Sequence, residues 1–306
     1  MSRLPRSGLS PALTDPRRLT VDLPARGGAM AVLEWGDPGR PVDLVFAHAN
    51  GFNALTCRAL LAPLGDRFRV WAPDLRGHGA TRLPTPITGR RGWSDHAGDL
   101  AALLDRIDGP PAVLAGHSMG GTSGLLAAAD RPDRVRGLVL ADPVIWSRPA
   151  VLAFNAPLLR GLPERIPLVA AARRRRARFD SRDQAMSAYR GRGAFKGWPD
   201  DVLADYLTDG LVPAPEGGLV LTCDADWEAS NYAAQGHDPW RAMARITAPI
   251  HILKAETGST CRVTPSSRRP QVRVQTVPGG THFLPMLHPE LVRDALASML
   301  EATGPA

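Results

Sequence analysis

The chain has 306 residues and 44% of them are hydrophobic, which is enough apolar material for a globular protein with a sizeable core. Its formal net charge is +7, and because Lys196 and Lys254 are its lysines, almost all of the positive charge is arginine. No zinc-binding spacing, aromatic RNA-binding motif or helix-turn-helix pattern accompanies this charge, so the sequence argues against a nucleic-acid partner and against a metal centre.

Eight short apolar runs predict β-strands. In chain order they cover residues 19–23, 30–35, 42–48, 68–74, 111–117, 135–142, 249–255 and 272–278. The middle runs are near-continuous rather than alternating, as expected for strands that are buried on both faces of a parallel sheet.

Amphipathic segments between these runs predict helices. Residues 93–107 place apolar side chains on one face of a helix, with Ser94 as the predicted N-cap residue. Residues 289–300 form a similar face near the C-terminus. The two faces consist of Leu100, Leu103, Leu104 and Ile107, and of Leu291, Leu296 and Leu300. Strands that alternate with helices favour a doubly wound α/β sheet.

The segment from residue 143 to residue 244 interrupts this alternation. It is rich in proline, contains an arginine run at 172–178 and shows no clear parallel-strand unit. Because an insertion of this length exceeds a simple connection between strands, we predict a helical cap at 143–244 over a core domain formed by 1–142 and 245–306.

Residues 116–120 read Gly-His-Ser-Met-Gly and lie between the fifth apolar run and a segment suited to a helix. This strand-turn-helix setting is the one in which the G-x-S-x-G pattern lifts a serine above a sheet. Gly116 and Gly120 remove side chains that would crowd the turn. The pattern therefore predicts that Ser118 is a nucleophile.

Together with this turn, three further segments resemble the capped, single-domain branch of the α/β-hydrolase superfamily. They are VFAHANGF after the third strand, APDLRGHGAT after the fourth and GGTHFLP near the C-terminus. The resemblance implies an eight-stranded, mostly parallel sheet with helices on both faces and a helical cap after strand six. It also implies hydrolysis of an ester in a small-molecule substrate, with no cofactor.

The resemblance also implies the base and the oxyanion hole. His282 matches the position of the general base, while His288 beside Pro289 suits a helix start. The oxyanion donors would be the backbone N–H groups of Met119 and Asn50. Ala49 stands where the family usually has glycine, so Phe52 remains an alternative donor and a candidate substrate contact.

The catalytic acid departs from the usual pattern, because Gly258 stands where the family carries an aspartate after strand seven. Two candidates remain. Asp142 ends strand six, where some members of the superfamily carry the acid, and Glu256 lies on the loop after strand seven. A carboxylate is needed to fix the histidine tautomer, but a particular strand is not. We favour Asp142 and keep Glu256 as the alternative.

Several functions fit this set of residues. The first is a serine hydrolase that cleaves a carboxylic ester through an acyl-enzyme intermediate. The same groups also suit a lactone, a thioester, an amide or a carbon–carbon bond, because the pocket rather than the fold selects the bond. A third alternative is a non-catalytic protein that uses the cleft to hold a ligand.

The predicted cap contains a basic segment, YRGRGAFKGW, in which Arg190 and Arg192 alternate with aromatic residues. Because arginine binds carboxylates with two parallel hydrogen bonds, these two residues are candidates for recognising an anionic substrate group. The alternative is a solvated basic face with the aromatic rings packed beneath it. The sequence does not indicate an oligomeric state.

The three cysteines, Cys57, Cys223 and Cys261, are far apart and odd in number, which favours packing roles in a reducing compartment over a disulfide framework. The first twenty residues lack the apolar core of a signal peptide, and no run of about 18 apolar residues occurs. We therefore expect a cytoplasmic protein without a membrane span.

Overall fold

The computed structural model describes residues 13–156 and 163–304. The described strands are β1 Arg17–Leu23, β2 Gly28–Trp35, β3 Leu44–Ala47, β4 Val70–Pro73, β5 Ala112–His117, β6 Val135–Ala141, β7 Arg178–Phe179, β8 Leu211–Pro213, β9 Leu219–Leu221, β10 Ile250–Ala255 and β11 Val272–Val277. Eight of them form one sheet in the order β1-β2-β4-β3-β5-β6-β10-β11. These are the eight strands that the apolar runs predict.

The described helices are α1 Arg58–Leu61, α2 Ser94–Leu104, α3 Met119–Asp130, α4 Arg148–Asn155, α5 Pro167–Arg173, α6 Arg182–Tyr189, α7 Asp200–Gly210, α8 Ala225–Ala233, α9 Pro239–Arg245, α10 Leu284–Leu287 and α11 Pro289–Ala302. None of the helices in these ranges is long and apolar enough to cross a membrane.

The sheet is antiparallel at one end, where β2 pairs with β1 and β4, and parallel from β4 to β11. In the parallel part, His117 lies opposite Ala141, and Ala141 lies opposite Leu253. The carboxyl ends of β5, β6 and β10 therefore meet at one edge, where ligand sites gather in open α/β sheets.

Apolar side chains on both faces of this sheet are buried. Along β5, Val113 and Ala115 pack into one hydrophobic cluster with α11, while Leu114 packs into the other with α2 and α3. Side chains alternate between faces along a strand, so a run that is apolar throughout requires helices on both sides. The expected helices on both faces of the sheet are confirmed.

The prediction that Ser94 is the N-cap residue of a helix is wrong. Helix α2 begins at Ser94 itself, and Trp93 occupies the capping position without a side-chain hydrogen bond to the helix. The predicted apolar face of this helix is buried, as are Leu296 and Leu300 of α11, whereas Leu291 is only partly buried.

The segment between β6 and β10, residues 143–244, contains α4 to α9 and, outside the undescribed residues 157–162, a small antiparallel sheet in the order β7-β9-β8. The segment is mainly helical, as expected, and the small antiparallel sheet is an addition that the sequence does not predict. The segment starts against the core, because Ile145 forms a parallel bridge with Cys261. Its last helix, α9, ends one residue beyond the expected boundary at 244.

Candidate active site

Ser118 lies on the tight turn between β5 and α3, with φ 54° and ψ −119°. Its backbone N–H donates to Ala141 O at 3.0 Å, which ties the turn to the end of β6. The turn packs closely on the end of β3, since a Cβ on Gly120 would lie 2.3 Å from the carbonyl oxygens of Ala47 and His48. Glycine at 120 is therefore required by a close backbone approach.

His282 lies on the loop between β11 and α10, and its Nε2 is 3.0 Å from Ser118 Oγ. Its Nδ1 is 2.6 Å from Asp142 Oδ2. Because a carboxylate oxygen accepts, Nδ1 carries the proton and Nε2 is free to accept from the Ser118 hydroxyl. The other candidate, His288, occupies the N-cap position of α11.

Asp142 follows β6 with φ 40° and is completely buried. Its carboxylate also accepts from Ala255 N at 2.9 Å, Ser259 Oγ at 2.6 Å and Thr260 N at 3.1 Å. Burial raises the pKa of Asp142, but the hydrogen bonds from His282, Ser259 and Ala255 outweigh burial and leave this pKa below its ordinary value. The group is therefore ionised at neutral pH.

The alternative acid, Glu256, does not contact His282. Its side chain is exposed and accepts a hydrogen bond from Gly279 N at 2.9 Å. The structure thus brings Asp142, and not Glu256, against the imidazole.

Of the two expected oxyanion donors, Met119 directly follows Ser118 in the chain, and Asn50 lies on the loop after β3. Met119 is the first residue of α3, so its N–H has no partner within the helix, and among the described residues neither this group nor Asn50 N–H has an acceptor. Phe52 N–H donates to Ala49 O at 3.3 Å, which argues against Phe52 as the donor.

Residues of the inserted segment and of the core form hydrogen bonds with the loop that carries Asn50. The Asn50 side chain donates to Glu228 O at 3.0 Å and accepts from Asn231 Nδ2 at 2.8 Å. Gly51 N–H donates to His78 Nε2 at 2.9 Å. His48 accepts from Leu75 N at 2.9 Å, and burial lowers the pKa of His48 to about 4, so it serves as a neutral brace.

His117, the residue before the serine, is a site residue that the sequence patterns do not single out. It is completely buried, and its Nε2–H donates to the backbone carbonyl of His282 at 2.7 Å. Burial lowers the pKa of His117 to about 3, so the ring stays neutral. The variable position of the G-x-S-x-G pattern was the available signal, but the contact depends on a loop 165 residues away in the chain.

An aromatic cluster lies beside the triad residues. Phe52 stacks on His117 with ring centroids 6.5 Å apart, and Phe283 lies 5.5 Å from His282. Rings of the inserted segment pack against Phe52, namely Phe195 at 6.4 Å, Trp198 at 5.2 Å and Tyr206 at 5.8 Å.

The basic residues of the same segment lie on the surface. Arg190 is exposed and pairs with Asp200 at 2.8 Å, and Arg192 is exposed as well. Tyr189, Phe195 and Trp198 are buried. This arrangement is the solvated basic face over packed aromatic rings, and it gives no structural support for anion recognition by the two arginines.

A mostly parallel eight-stranded sheet with a serine on the tight strand-to-helix turn defines an α/β hydrolase fold. A family model described as alpha/beta hydrolase family matches residues 44–295. The chain therefore belongs to the alpha/beta hydrolase family.

Two relatives align over most of their length. The chain is 28% identical over 265 residues to 2-(acetamidomethylene)succinate hydrolase of Mesorhizobium japonicum, covering 85% of this chain and 88% of the relative. It is 28% identical over 304 residues to the magnesium-chelatase 30 kDa subunit of Rhodobacter capsulatus, covering 94% and 98%. The crystal structure of E-2-(acetamidomethylene)succinate hydrolase matches with a TM-score of 0.74 at 26% identity, covering 94% of this chain and 99% of that one. The family and the hydrolase relative support hydrolytic activity.

Proposed function

We propose that the protein is a serine hydrolase that cleaves carboxylic esters through an acyl-enzyme on Ser118. The observation that carries this proposal is the continuous chain of contacts from Ser118 Oγ to His282 Nε2 at 3.0 Å and from His282 Nδ1 to Asp142 Oδ2 at 2.6 Å. A nucleophile, a base and an orienting acid in hydrogen-bond reach are the arrangement that nucleophilic acyl transfer requires.

In the first half of the reaction, Ser118 Oγ attacks the ester carbonyl carbon while His282 Nε2 takes the hydroxyl proton. The carbonyl oxygen becomes an oxyanion, which accepts hydrogen bonds from the N–H groups of Asn50 and Met119. The positive end of the α3 dipole, which begins at Met119, lies at the same point. Collapse of the intermediate breaks the bond to the alcohol oxygen, and His282 gives that oxygen its proton.

In the second half, water replaces the alcohol. His282 takes a proton from the water as it attacks the acyl carbon, and the acid leaves with Ser118 restored. Asp142 keeps the His282 proton on Nδ1 and stabilises the imidazolium that forms in each half. Its depressed pKa supports this role, because an ionised carboxylate is needed at neutral pH.

We also propose that residues 143–244 act as a cap over this site. Support comes from the rings of Phe195, Trp198 and Tyr206 against Phe52 and from the bond between Asn50 and the Glu228 carbonyl.

The three cysteines are buried and unpaired, which supports a reducing cytoplasmic compartment.

The same catalytic groups also suit carbonyl substrates other than esters. The relative from Mesorhizobium japonicum is named for the hydrolysis of 2-(acetamidomethylene)succinate, an acetamido compound. Amides, lactones and thioesters therefore belong in the same substrate screen as esters.

A fluorophosphonate probe tests the nucleophile, and p-nitrophenyl esters of graded acyl length test the reaction. We expect the wild type to be labelled and to release p-nitrophenol, and Ser118→Ala to lose labelling and about 10³-fold or more of kcat/KM. Ser123→Ala is the matched control, because Ser123 is a buried serine one turn further along α3. Full activity in Ser118→Ala would refute the proposal, and a folded wild type that binds esters without cleaving them would favour the ligand-binding alternative.

A further inference from the structure

Trp198 lies between a short turn at Gly193–Phe195 and helix α7, and its side chain is buried with 8% exposure. Its indole Nε1 has no hydrogen-bond acceptor among the described residues. A buried donor without an acceptor costs free energy, so such a group in a folded protein calls for a partner.

The other tryptophans show that this is a local property and not a feature of indoles in the fold. All six donate from Nε1 to a protein oxygen. Their acceptors are Thr14 O for Trp35, Glu34 for Trp71, Asn231 O for Trp93, Gln235 for Trp146, Arg76 O for Trp227 and Trp146 O for Trp240. Trp198 is the exception among the seven tryptophans of the chain.

The unpartnered indole packs against residues of the loops that carry Asn50 and His282. Its ring packs edge-on against Phe52 at 5.2 Å and against Phe283 at 6.0 Å. Phe52 belongs to the loop that carries Asn50, and Phe283 directly follows His282. Trp198 therefore bridges the two core loops that carry the expected oxyanion donor Asn50 and the base His282.

The charge around Trp198 favours an uncharged ligand group. Tyr206 packs against Trp198 at 6.5 Å and its hydroxyl accepts from Arg175 Nη1 at 3.3 Å. The Arg175 guanidinium is paired with the Glu228 carboxylate at 2.6 Å, so this polar group is neutral overall. A substrate carboxylate buried here would lack a compensating charge, whereas a carbonyl oxygen needs only a hydrogen bond.

We propose that Trp198 Nε1–H donates a hydrogen bond to a second, uncharged carbonyl oxygen of the substrate, so that the enzyme selects esters that carry a ketone or an ester carbonyl beside the scissile one. The inference rests on the proposed ester hydrolysis. It adds a specificity contact in the inserted segment, and the aromatic rings of Phe52, Phe195 and Phe283 would pack on the apolar parts of the same substrate.

The test compares esters that differ by one carbonyl group. In the acyl series, p-nitrophenyl levulinate is compared with p-nitrophenyl pentanoate, and in the alcohol series acetonyl butyrate is compared with butyl butyrate. We expect the wild type to prefer the carbonyl-bearing ester in one series by about 2- to 10-fold in kcat/KM, the usual range for one neutral hydrogen bond. Trp198→Phe keeps an aromatic ring and removes the donor, so it should abolish this preference.

Trp146→Phe is the matched control, because the Trp146 indole already donates to a protein acceptor, Gln235 Oε1, at 2.8 Å. This variant should keep the preference. An equal loss of activity on both esters in Trp198→Phe, or a preference that survives in it, would overturn the inference. A selective loss on p-nitrophenyl hemisuccinate would overturn the claim that the bound oxygen is uncharged.

A second measurement does not depend on the folding of Trp198→Phe. In isotope-labelled Ser118→Ala, binding of the carbonyl-bearing ester of the preferred series should shift one indole N–H resonance that its carbonyl-free counterpart leaves unchanged, and no shift would contradict the inference. If the wild type cleaves these esters without a carbonyl preference in either series, only the inference fails. If it cleaves none of these esters, the proposed function fails and the inference falls with it.

Discussion

Replacing Asp142 with asparagine removes the charge beside His282 while the fold is retained. Asparagine tolerates the φ of 40° that this position requires, and its side-chain oxygen can still accept from His282 Nδ1. Its NH₂ group then faces Ala255 N–H and Ser259 Oγ, of which only the hydroxyl can turn to accept. We therefore expect a folded variant with a modest loss of stability.

The kinetic loss follows from the imidazolium that forms in each transition state. Two unit charges about 4 Å apart interact by about 4 kcal/mol at an effective dielectric constant near 20. At about 1.4 kcal/mol for each factor of ten, losing this interaction lowers kcat by roughly 10³-fold. The Michaelis constant should change little, because the charge develops only in the transition state.

The assay is p-nitrophenyl ester hydrolysis at saturating substrate, with active sites counted by fluorophosphonate labelling of wild type. Glu256→Gln is the control, because Glu256 is an exposed carboxylate on a neighbouring loop that accepts from Gly279 N. It should change kcat by less than about threefold, as expected for a surface substitution. A larger loss in Glu256→Gln than in Asp142→Asn would assign the acid to Glu256 and refute this reasoning.

Two further predictions concern stability. Gly120→Ala would place a Cβ 2.3 Å from two backbone carbonyl oxygens, so this variant should fail to fold or lose several kcal/mol of unfolding free energy in urea. Gly124→Ala in the same helix meets only ordinary contacts at 3.4 Å, so it should be neutral or up to about 1 kcal/mol more stable, and equal stabilities of the two variants would contradict the close approach at Gly120. Burial lowers the pKa of His237 from 6.5 to about 4, so the unfolded chain binds a proton first as the pH falls. The free energy of unfolding should therefore fall by about 2 kcal/mol on account of His237 between about pH 7.5 and about pH 5. His237→Phe should show a pH dependence smaller by that amount, and an unchanged slope would show that His237 is not held neutral.

The sheet could be predicted from the sequence because its inner strands are buried on both faces and therefore read as continuous apolar runs. Val113, Leu114 and Ala115 of β5 illustrate this, since each is buried although they point to alternate faces. Ser118 could be placed for a related reason, because a tight strand-to-helix turn leaves a local pattern of glycines.

The parts that could not be predicted depend on contacts between distant segments or on very short elements. Strand β7 has two residues and β8 has three, too few to show a period of two in the sequence. The bond from His117 to the His282 carbonyl and the missing acceptor at Trp198 arise only when separate loops come together. For the same reason the sequence favours Asp142 but does not exclude Glu256 as the carboxylate that meets the imidazole.

Ser118 and Asp142 are the two non-glycine residues with positive φ in the described ranges, at 54° and 40°. A side chain in that region costs on the order of 1–3 kcal/mol, and glycine at either position would relieve it. In a lineage that used the fold only to hold a ligand, glycine at position 118 would be stabilising and free to accumulate, whereas glycine at position 142 would also leave Ala255 N–H and Thr260 N–H without an acceptor. A sequence that still carries a hydroxyl on the strained turn at position 118 bears a cost in stability that a purely ligand-holding role does not explain.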